Sequence, residues 1–375
     1  MKIIFLCGSL EPGRDGVGDY VTRLAGELIK QGNQVVALAL NDKYIEEERI
    51  CINDVETKQL KLIRLPATWE ANQRFAKAQE IIHGFQPEWI SLQFVPFSFH
   101  NKGIVIGLDK YLLQLGNTYR WHIMFHELWV GVNQSNTIRQ FILGQTQKVF
   151  IKRLIKRLHP TCITTSIPLY KKTISGTNVS LLPLFGNIPI LQNQVSADKL
   201  GNDKFPITVV HFGSFTSHIE EFTAQIKWIQ TVANSRDQQV NFLAIGEGGP
   251  FKATALLIVE SILGANSIND LGRRSFTEVS EFFSKADLGI SRADYEMYGK
   301  SGSTLAMLEH GLPVLLRGQG PSDVEDYLEN NLFDYRTQVF FCDDDINEIP
   351  VKRSSNKNSL TTIASLFTQT LERVQ

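Results

Sequence analysis

Gly299-Lys300-Ser301-Gly302-Ser303-Thr304 sets two glycines, three hydroxyls and a lysine directly ahead of an apolar run, Leu305-Ala306-Met307-Leu308. Those residue types suit an anion seat. The first turn of a helix exposes N–H groups with no intrahelical acceptor and about half a positive charge. Glycine lets the backbone come close to a ligand, the hydroxyls add donors, and Lys300 adds a point charge. The segment ends like a Walker A loop, but Asp294 stands where that motif requires its first glycine. A plain helix capped by Ser301 would use the same residue types, so the spacing alone leaves both readings open.

Other residues able to do chemistry lie at predicted strand ends. Gly16-Val17-Gly18, with Arg14 and Asp15, follows the first apolar strand; His126-Glu127 follows "WHIMF". "HFGSFTSH" carries Gly213 and Ser214, and "FLAIGEGGP" carries Gly246, Glu247, Gly248 and Gly249. A histidine at a strand end before a loop faces the side where α/β sheets bind ligands, whereas His122, within the strand, reads as a core residue. Asn187 follows Gly186 in a loop, where a turn role and a site role are equally open. The Asp343-Asp344-Asp345 run reads as a solvated stretch, and no Asp-x-Asp metal pair stands in a suitable place.

The elements that must position these groups alternate between strand and helix. "KIIFLCG", "QVVALAL", "WISLQF", "WHIMFHE" and "TCITTS" read as strands of a parallel sheet, near-continuously apolar because helices cover both faces. Helices recur between them, as with Val21, Leu24, Ala25, Leu28 and Ile29. A stretch rich in Asn, Gln and Asp from Leu191 to Phe205 reads as a linker. The alternation then restarts, predicting an α/β chain of two Rossmann-like doubly wound domains facing across a cleft. The expected boundaries are 1–190, 191–355, and a C-terminal helix over 356–375 packing back on the first domain, with Leu360, Ile363, Phe367 and Leu371 at helical spacing.

At 375 residues the chain is long for one core. A net charge of −1 gives no global field for nucleic acid, and the four cysteines lack metal-ligand spacing. The first apolar run is too short for a signal peptide, and no stretch reaches the roughly 20 apolar residues of a membrane span. The expectation is a cytoplasmic protein, at most attached to the inner face of a membrane. "QKVFIKRLIKRLH", 147–159, sets Lys148, Lys152, Arg153, Lys156 and Arg157 beside Val149, Phe150, Leu154, Ile155 and Leu158. It reads either as a domain helix with a solvated basic face or as a peripheral contact with an anionic membrane.

Taken in order, several segments resemble the family 4 (group 1) retaining glycosyltransferases over nearly the whole chain. "EPGRDGVGDYVTRLAGELIKQGNQV" is similar to the family's opening glycine loop and helix, and "LLPLFGNIP" to the loop before its interdomain linker. "FLAIGEGGP" is similar to its Val-Gly-Asp-Gly-Pro turn, and "FTEVSEFFSKADLGIS" to the elements leading into its donor site. "YEMYG" resembles the start of its Glu-x7-Glu motif, and "HGLPVL" that motif's ending. The resemblance implies the GT-B fold and transfer of a sugar from a nucleotide-diphosphate sugar to a hydroxyl acceptor (saccharide, lipid or small molecule). It implies retention, with no metal and no separate cofactor. It places Gly16, Val17, Gly18, Gly213, Ser214, Lys300, Ser301, Gly302, Ser303 and Thr304 at the diphosphate, Gly246 and Glu247 near the base, and His126 and Glu296 at the transferred sugar.

Two features depart from the family. With Glu296 as the first motif acid, the second falls on Thr304; aligned back from Gly311 instead, the pair becomes Tyr298 and Ala306. The acid that would hold the ribose is absent either way, with Glu309 as a stand-in or a solvated residue. The Gly-Arg and following lysine of the family's diphosphate site are also missing from Gly213 to His218. Lys300, Arg292 or the helix terminus must then supply the charge a departing diphosphate needs. These departures count in favour of a second reading, a non-catalytic nucleotide-sugar-binding or partner subunit that keeps the GT-B shape. The sequence lacks the several carboxylates that a sugar-nucleotide epimerase needs around the sugar, and its first loop lacks the Gly-x-Gly-x-x-Gly of a nicotinamide dehydrogenase, since Val21 stands at the third position.

Overall fold

A computed structural model describes residues 1–55, 57–116, 118–132, 137–174, 178–191, 206–320, 335, 337–344 and 359–374. The chain forms two compact units, Met1–Pro183 with Leu360–Gln375, and Leu184–Ser359. The expected linker falls outside the described residues except for Leu191, as does Asp345.

The first unit runs β1 (Lys2–Cys7), α1 (Gly16–Lys30), β2 (Gln34–Asp42), β3 (Arg49–Val55), β4 (Lys58–Pro66), α2 (Ala71–Phe85) and β5 (Trp89–Phe94). It continues through α3 (Pro96–Phe99), α4 (Leu108–Gln114), β6 (Arg120–Phe125), α5 (Ile138–Leu158), β7 (Cys162–Thr165), α6 (Pro168–Thr173) and β8 (Val179–Leu181). The eight strands lie in the order β3-β4-β2-β1-β5-β6-β7-β8. Every described pair is parallel except β3 with β4, an antiparallel edge hairpin without counterpart in the sequence reading. Ile3, Ile4, Phe5, Leu6 and Cys7 of β1 are wholly buried, the signature of a strand covered on both faces.

The second unit runs β9 (Ile207–Phe212), α7 (Ile219–Ser235), β10 (Val240–Ile245), α8 (Lys252–Leu263), β11 (Ile268–Gly272) and α9 (Phe276–Lys285). Then follow β12 (Leu288–Ile290), α10 (Gly302–Glu309), β13 (Val314–Leu315) and β14 (Val339–Phe340). Its sheet is parallel throughout, ordered β11-β10-β9-β12-β13-β14. Phe242, Trp228, Phe222, Ile226 and Phe340 lie in one core cluster on β10, α7 and β14.

The last helix, α11 (Ser359–Glu372), buries Ile363, Ala364, Phe367 and Leu371, the spacing read from the sequence. Phe367 packs in the first unit, its ring 5.5 Å from Phe5 and 5.3 Å edge-on to His122. Burying such a phenylalanine contributes about 1.5–3 kcal/mol, so the tail belongs to that core. Capping boxes at Thr137/Gln140 and Ser275/Glu278 start α5 and α9.

Candidate functional site

In the second unit all strands are parallel, so the chain leaves every one of them at the same sheet edge. Gly213 leaves β9 with φ of 101°, and Gly246 leaves β10 with φ of 108°, both in the region that favours glycine. A Cβ on Gly246 would lie 3.4 Å from the Gly213 backbone, and one on Gly213 would lie 3.8 Å from Ser303 Oγ. Backbone bonds lock the turns together: Gly213 donates to Ile245 O at 2.9 Å and Phe215 to Gly248 O at 2.9 Å. Gly213, Gly246 and Ser303 are thus gathered at the start of α10, with Ser214 exposed beside Gly249. The exposed Glu247 stands on the same turn, 3.9 Å from Arg273.

The start of α10 divides its polar groups between structure and solvent. Ser301 is the N-cap, accepting from Thr304 N at 3.3 Å. Thr304 differs from its expected role. It is wholly buried, and its hydroxyl donates to Ser301 Oγ at 2.8 Å while sharing a 2.7 Å bond with Ser291. The side chain at that position faces the β12 strand end rather than a ligand. The amides of Gly302 and Ser303, the first two helical residues, have no intrahelical acceptor, and Ser303 Oγ lies 3.2 Å from Ser301 Oγ. Gly302 packs closely on Asn187, since a Cβ there would lie 3.3 Å from the Asn187 side chain, and the Asn187 backbone amide donates to Gly302 O at 3.1 Å. Asn187 Oδ1 is buried and has no hydrogen-bond partner among the described residues.

Upstream, Lys300 is half-buried in the turn Tyr298–Lys300, and Glu296 is exposed on the loop with no polar partner among the described residues. A residue the sequence reading missed holds this loop. Arg317, after β13, is buried and donates to Arg292 O at 3.0 Å, to Asp294 at 2.9 Å and to Glu221 on α7 at 2.5 Å. Asp294 in turn accepts from Met297 N at 3.0 Å. Arg317 is thus engaged as a tether and is not a source of open charge, while Arg292 is exposed. Only its place just beyond the predicted strand "PVLL" pointed to it.

Glu309 is not solvated. It is buried, accepts from Gly186 N at 2.6 Å, and takes the Ser359 hydroxyl. A Cβ on Gly186 would meet Ala306 Cα at 2.5 Å, so that loop lies flat against α10. His211, buried on β9, stacks on Phe215 at 3.9 Å between centroids. Burial, with the Arg292 charge nearby, pulls it down to a pKa of about 3.

In the first unit the glycine loop departs from expectation. The Asp15 carboxylate caps α1, accepting from Val17 N at 3.0 Å and Gly18 N at 2.9 Å. The amides assigned to a diphosphate therefore already hold an anion. Burial raises the Asp15 pKa, the bonds from Gly18 and Val17 only partly opposing it. Gly18 is a packing requirement, since a Cβ would strike Ser9 O at 2.5 Å, while Gly16 faces open space. Close by, Glu11 and Asp42 hold the buried Arg64.

His126, on the residue after β6, is buried against Tyr20 edge-on at 5.0 Å. Its Nε2 lies 2.8 Å from Gln93 Oε1. His122 is a core residue as read, bonded to Ser91 and Thr164 at 2.8 Å each.

The basic segment 147–159 is a helix of the first unit with a solvated basic face, the first of the two readings. Ile151, Leu154 and Leu158 are buried within the unit, and Arg153 and Arg157 each bond Asp109 at 2.9 Å. The exposed apolar side chains lie further upstream: Ile138 (80% exposed), Phe141 (57%), Ile142 (59%) and Val149 (64%). At helical spacing these share the outward face with Lys152 and Lys156. Among the described residues no helix is long and apolar enough to cross a membrane, and no three His, Cys, Asp or Glu side chains gather as a metal site.

A scan against protein-family models finds no match, and a search of curated proteins finds none. Solved structures do match. Anabaena HepE, in complex with UDP and glucose, superposes with a TM-score of 0.58 at 12% identity over 100% of both chains. WaaG, a glycosyltransferase involved in lipopolysaccharide biosynthesis, gives 0.54 at 14% over 99% of this chain and 94% of that one. A chain carrying the name UDP-N-acetylglucosamine 2-epimerase from Listeria monocytogenes gives 0.50 at 12% over 99% and 88%. At these identities the likeness is one of fold, and the fold is GT-B, with two doubly wound α/β units.

Proposed function

We propose that the protein is a glycosyltransferase that takes a sugar from a nucleoside-diphosphate donor to a hydroxyl acceptor. The observation that carries this reading is the convergence of Gly213, Gly246 and Ser303 at the start of α10. Bare backbone and two helix amides with no acceptor among the described residues suit a diphosphate there. In this role the amides of Gly302 and Ser303, the Ser303 hydroxyl and the Lys300 ammonium stabilise the departing diphosphate, and Glu296 takes a hydroxyl of the donor sugar. The protein's contribution is placement and charge stabilisation, while C1 exchanges its bond to the diphosphate for one to the acceptor oxygen. Retention without a metal, and the family 4 type, rest on the resemblance of motifs.

The acceptor side falls to the first unit, with His126 at its strand edge. The exposed face of α5 fits a protein working at the inner surface of a membrane: an apolar half to enter the headgroup layer, and Lys152 and Lys156 to meet anionic lipid. The second reading, a nucleotide-sugar-binding subunit without turnover, is favoured by one observation. Neither alignment of the acidic motif yields a second acid at the site, since Thr304 and Ala306 are buried and Glu309 is tied to Gly186.

Thermal-shift screening with nucleoside-diphosphate sugars, followed by calorimetry and a transfer assay, tests both. Protection by one donor is expected. Lys300→Ala should weaken that donor by about 10- to 100-fold, the loss of about 1.5–3 kcal/mol for a hydrogen bond to a charged group. Full affinity in Lys300→Ala and Glu296→Ala alike would refute the site, and binding without turnover for any acceptor would favour the subunit.

A further inference from the structure

The chain passes between its two units twice, from Pro183 to Leu184 and from Ser359 to Leu360. One side chain of the second unit holds the chain beside both passages. Glu309 Oε1, at the end of α10, accepts from the Gly186 amide at 2.6 Å and also from the Ser359 hydroxyl. Gly186 stands just past the first passage, and Ser359 is the last residue before the second. Gly186, Glu309 and Ser359 are all buried.

On local grounds glutamate is a poor choice here. It is the last residue of α10, where the helix dipole opposes a negative charge, and burial takes its carboxylate out of water. Charge-assisted bonds from the Gly186 amide and the Ser359 hydroxyl offset those costs. A residue that breaks local rules in this way is characteristic of functional or strained places. Gly186 is matched to it. A Cβ there would lie 2.5 Å from Ala306 Cα and 2.7 Å from both Ala306 N and Glu309 Oε2, so only glycine lets the chain run this close to the helix. The next residue, Asn187, donates its amide to Gly302 O at 3.1 Å. Gly186 and Asn187 therefore lie along α10, tied at its end and at its first residue.

We infer that Glu309 is a positioning residue, the common anchor that fastens both passages of the chain to α10. Through Gly186 and Asn187 it also fixes Gly302, whose amide belongs to the proposed diphosphate seat. A ligand held at the start of α10 then steadies both passages, and loss of the anchor weakens the ligand in turn, since such coupling is reciprocal. The diphosphate at that seat rests on the function proposed above; the anchor itself does not.

Hydrogen exchange followed by mass spectrometry on the full chain reads the anchor without turnover. Peptides spanning 184–188 report the Gly186 amide. Peptides spanning 360–366 report the first turn of α11, where the Ile363 amide has the Ser359 carbonyl as its helical acceptor. Glu309→Leu should speed exchange in both segments by at least about tenfold, the effect of losing a hydrogen bond to a charged group. Val209 and Val210 in β9, wholly buried, should stay within about twofold and so exclude a general loss of stability. Glu309→Gln keeps an oxygen where both donors point and should restore most of the protection. Wild-type exchange in either segment of Glu309→Leu, or Glu309→Gln exchanging as fast as Glu309→Leu, overturns the inference. UDP, GDP and ADP are then added in turn. The nucleotide that slows exchange at the start of α10 should slow both segments as well, in the wild type and not in Glu309→Leu. Slowing confined to the start of α10 overturns the coupling. No response there to any of the three counts against the diphosphate seat and leaves the anchor standing on the variants. Should Glu309→Leu fail to fold, Ser359→Ala decides: it removes one of the two bonds and should speed 360–366 alone, and unaltered exchange there overturns the anchor.

Discussion

Replacing Arg317 by methionine keeps an unbranched apolar stem in place and removes three hydrogen bonds. The Arg317 side chain is 10% exposed, and its carboxylate partners Asp294 and Glu221 are 27% and 42% exposed. Glu221 has enough water to be re-solvated, so its bond falls in the surface range of at most about 1 kcal/mol. The Asp294 pair is more enclosed but keeps the Met297 amide when arginine leaves, and about 1.5 kcal/mol is reasonable for a charged bond of that kind. The Arg292 carbonyl loses a neutral acceptor role, about 0.5 kcal/mol once water reaches it. The sum places the loss at about 2–3 kcal/mol, below the roughly 3–5 kcal/mol of a fully buried pair broken on one side. Urea unfolding followed by fluorine-labelled tryptophan isolates the second unit, because Trp228 is the one tryptophan between residues 184 and 359. The same variant should bind the donor about tenfold more weakly, since the loop bearing Glu296 and Lys300 loses its anchor. Lysine at 317 should recover only part of either quantity, having a point charge where the site uses a fork. A loss below about 0.5 kcal/mol together with unchanged binding would show that the tether does not hold the loop in solution.

Acid should unfold the second unit through His211. Its folded pKa of about 3 lies below the ordinary 6.5, so the unfolded chain takes the proton first. Stability is then full above about pH 6.5 and falls toward pH 3, by up to about 1.4 kcal/mol per pH unit. His211→Leu, which also removes a buried Nδ1 with no partner among the described residues, should flatten that slope for Trp228 unfolding between pH 6.5 and 5; an unaltered slope would refute the assignment. Phe141→Glu with Ile142→Glu should abolish sedimentation with vesicles containing anionic lipid while leaving thermal stability within about 0.5 kcal/mol, both side chains being exposed. Equal sedimentation of the variant and the wild type would remove the membrane reading.

The two sheets were legible because buried parallel strands have little freedom in composition: "KIIFLC" and "VNFLAI" are what burial on both faces leaves. The tail helix could be read from Ile363, Phe367 and Leu371 for a similar reason. The β3–β4 hairpin escaped because Arg49–Val55 is an edge strand whose apolar Ile50 and Ile52 face solvent and whose short apolar run is broken by Asn53 and Asp54. At the sites the loss is of another kind. Sequence names residue types able to hold an anion, but types do not record which groups the fold has already engaged. Asp15 and Thr304 show this from opposite sides. Asp15, read as a loop polar, supplies the anion its own helix start would otherwise seek, and Thr304, read as a ligand contact, turns inward to Ser291. Arg317 and Glu309, which do fix the candidate site, lie outside every motif because their partners come from α7 and from the Gly186 loop. What distinguishes the start of α10 from that of α1 is therefore not glycine content but the capping side chain. A serine hydroxyl at α10 satisfies one amide and adds no charge, whereas a carboxylate at α1 satisfies two, and this difference is why the proposed diphosphate seat is the later of the two glycine loops.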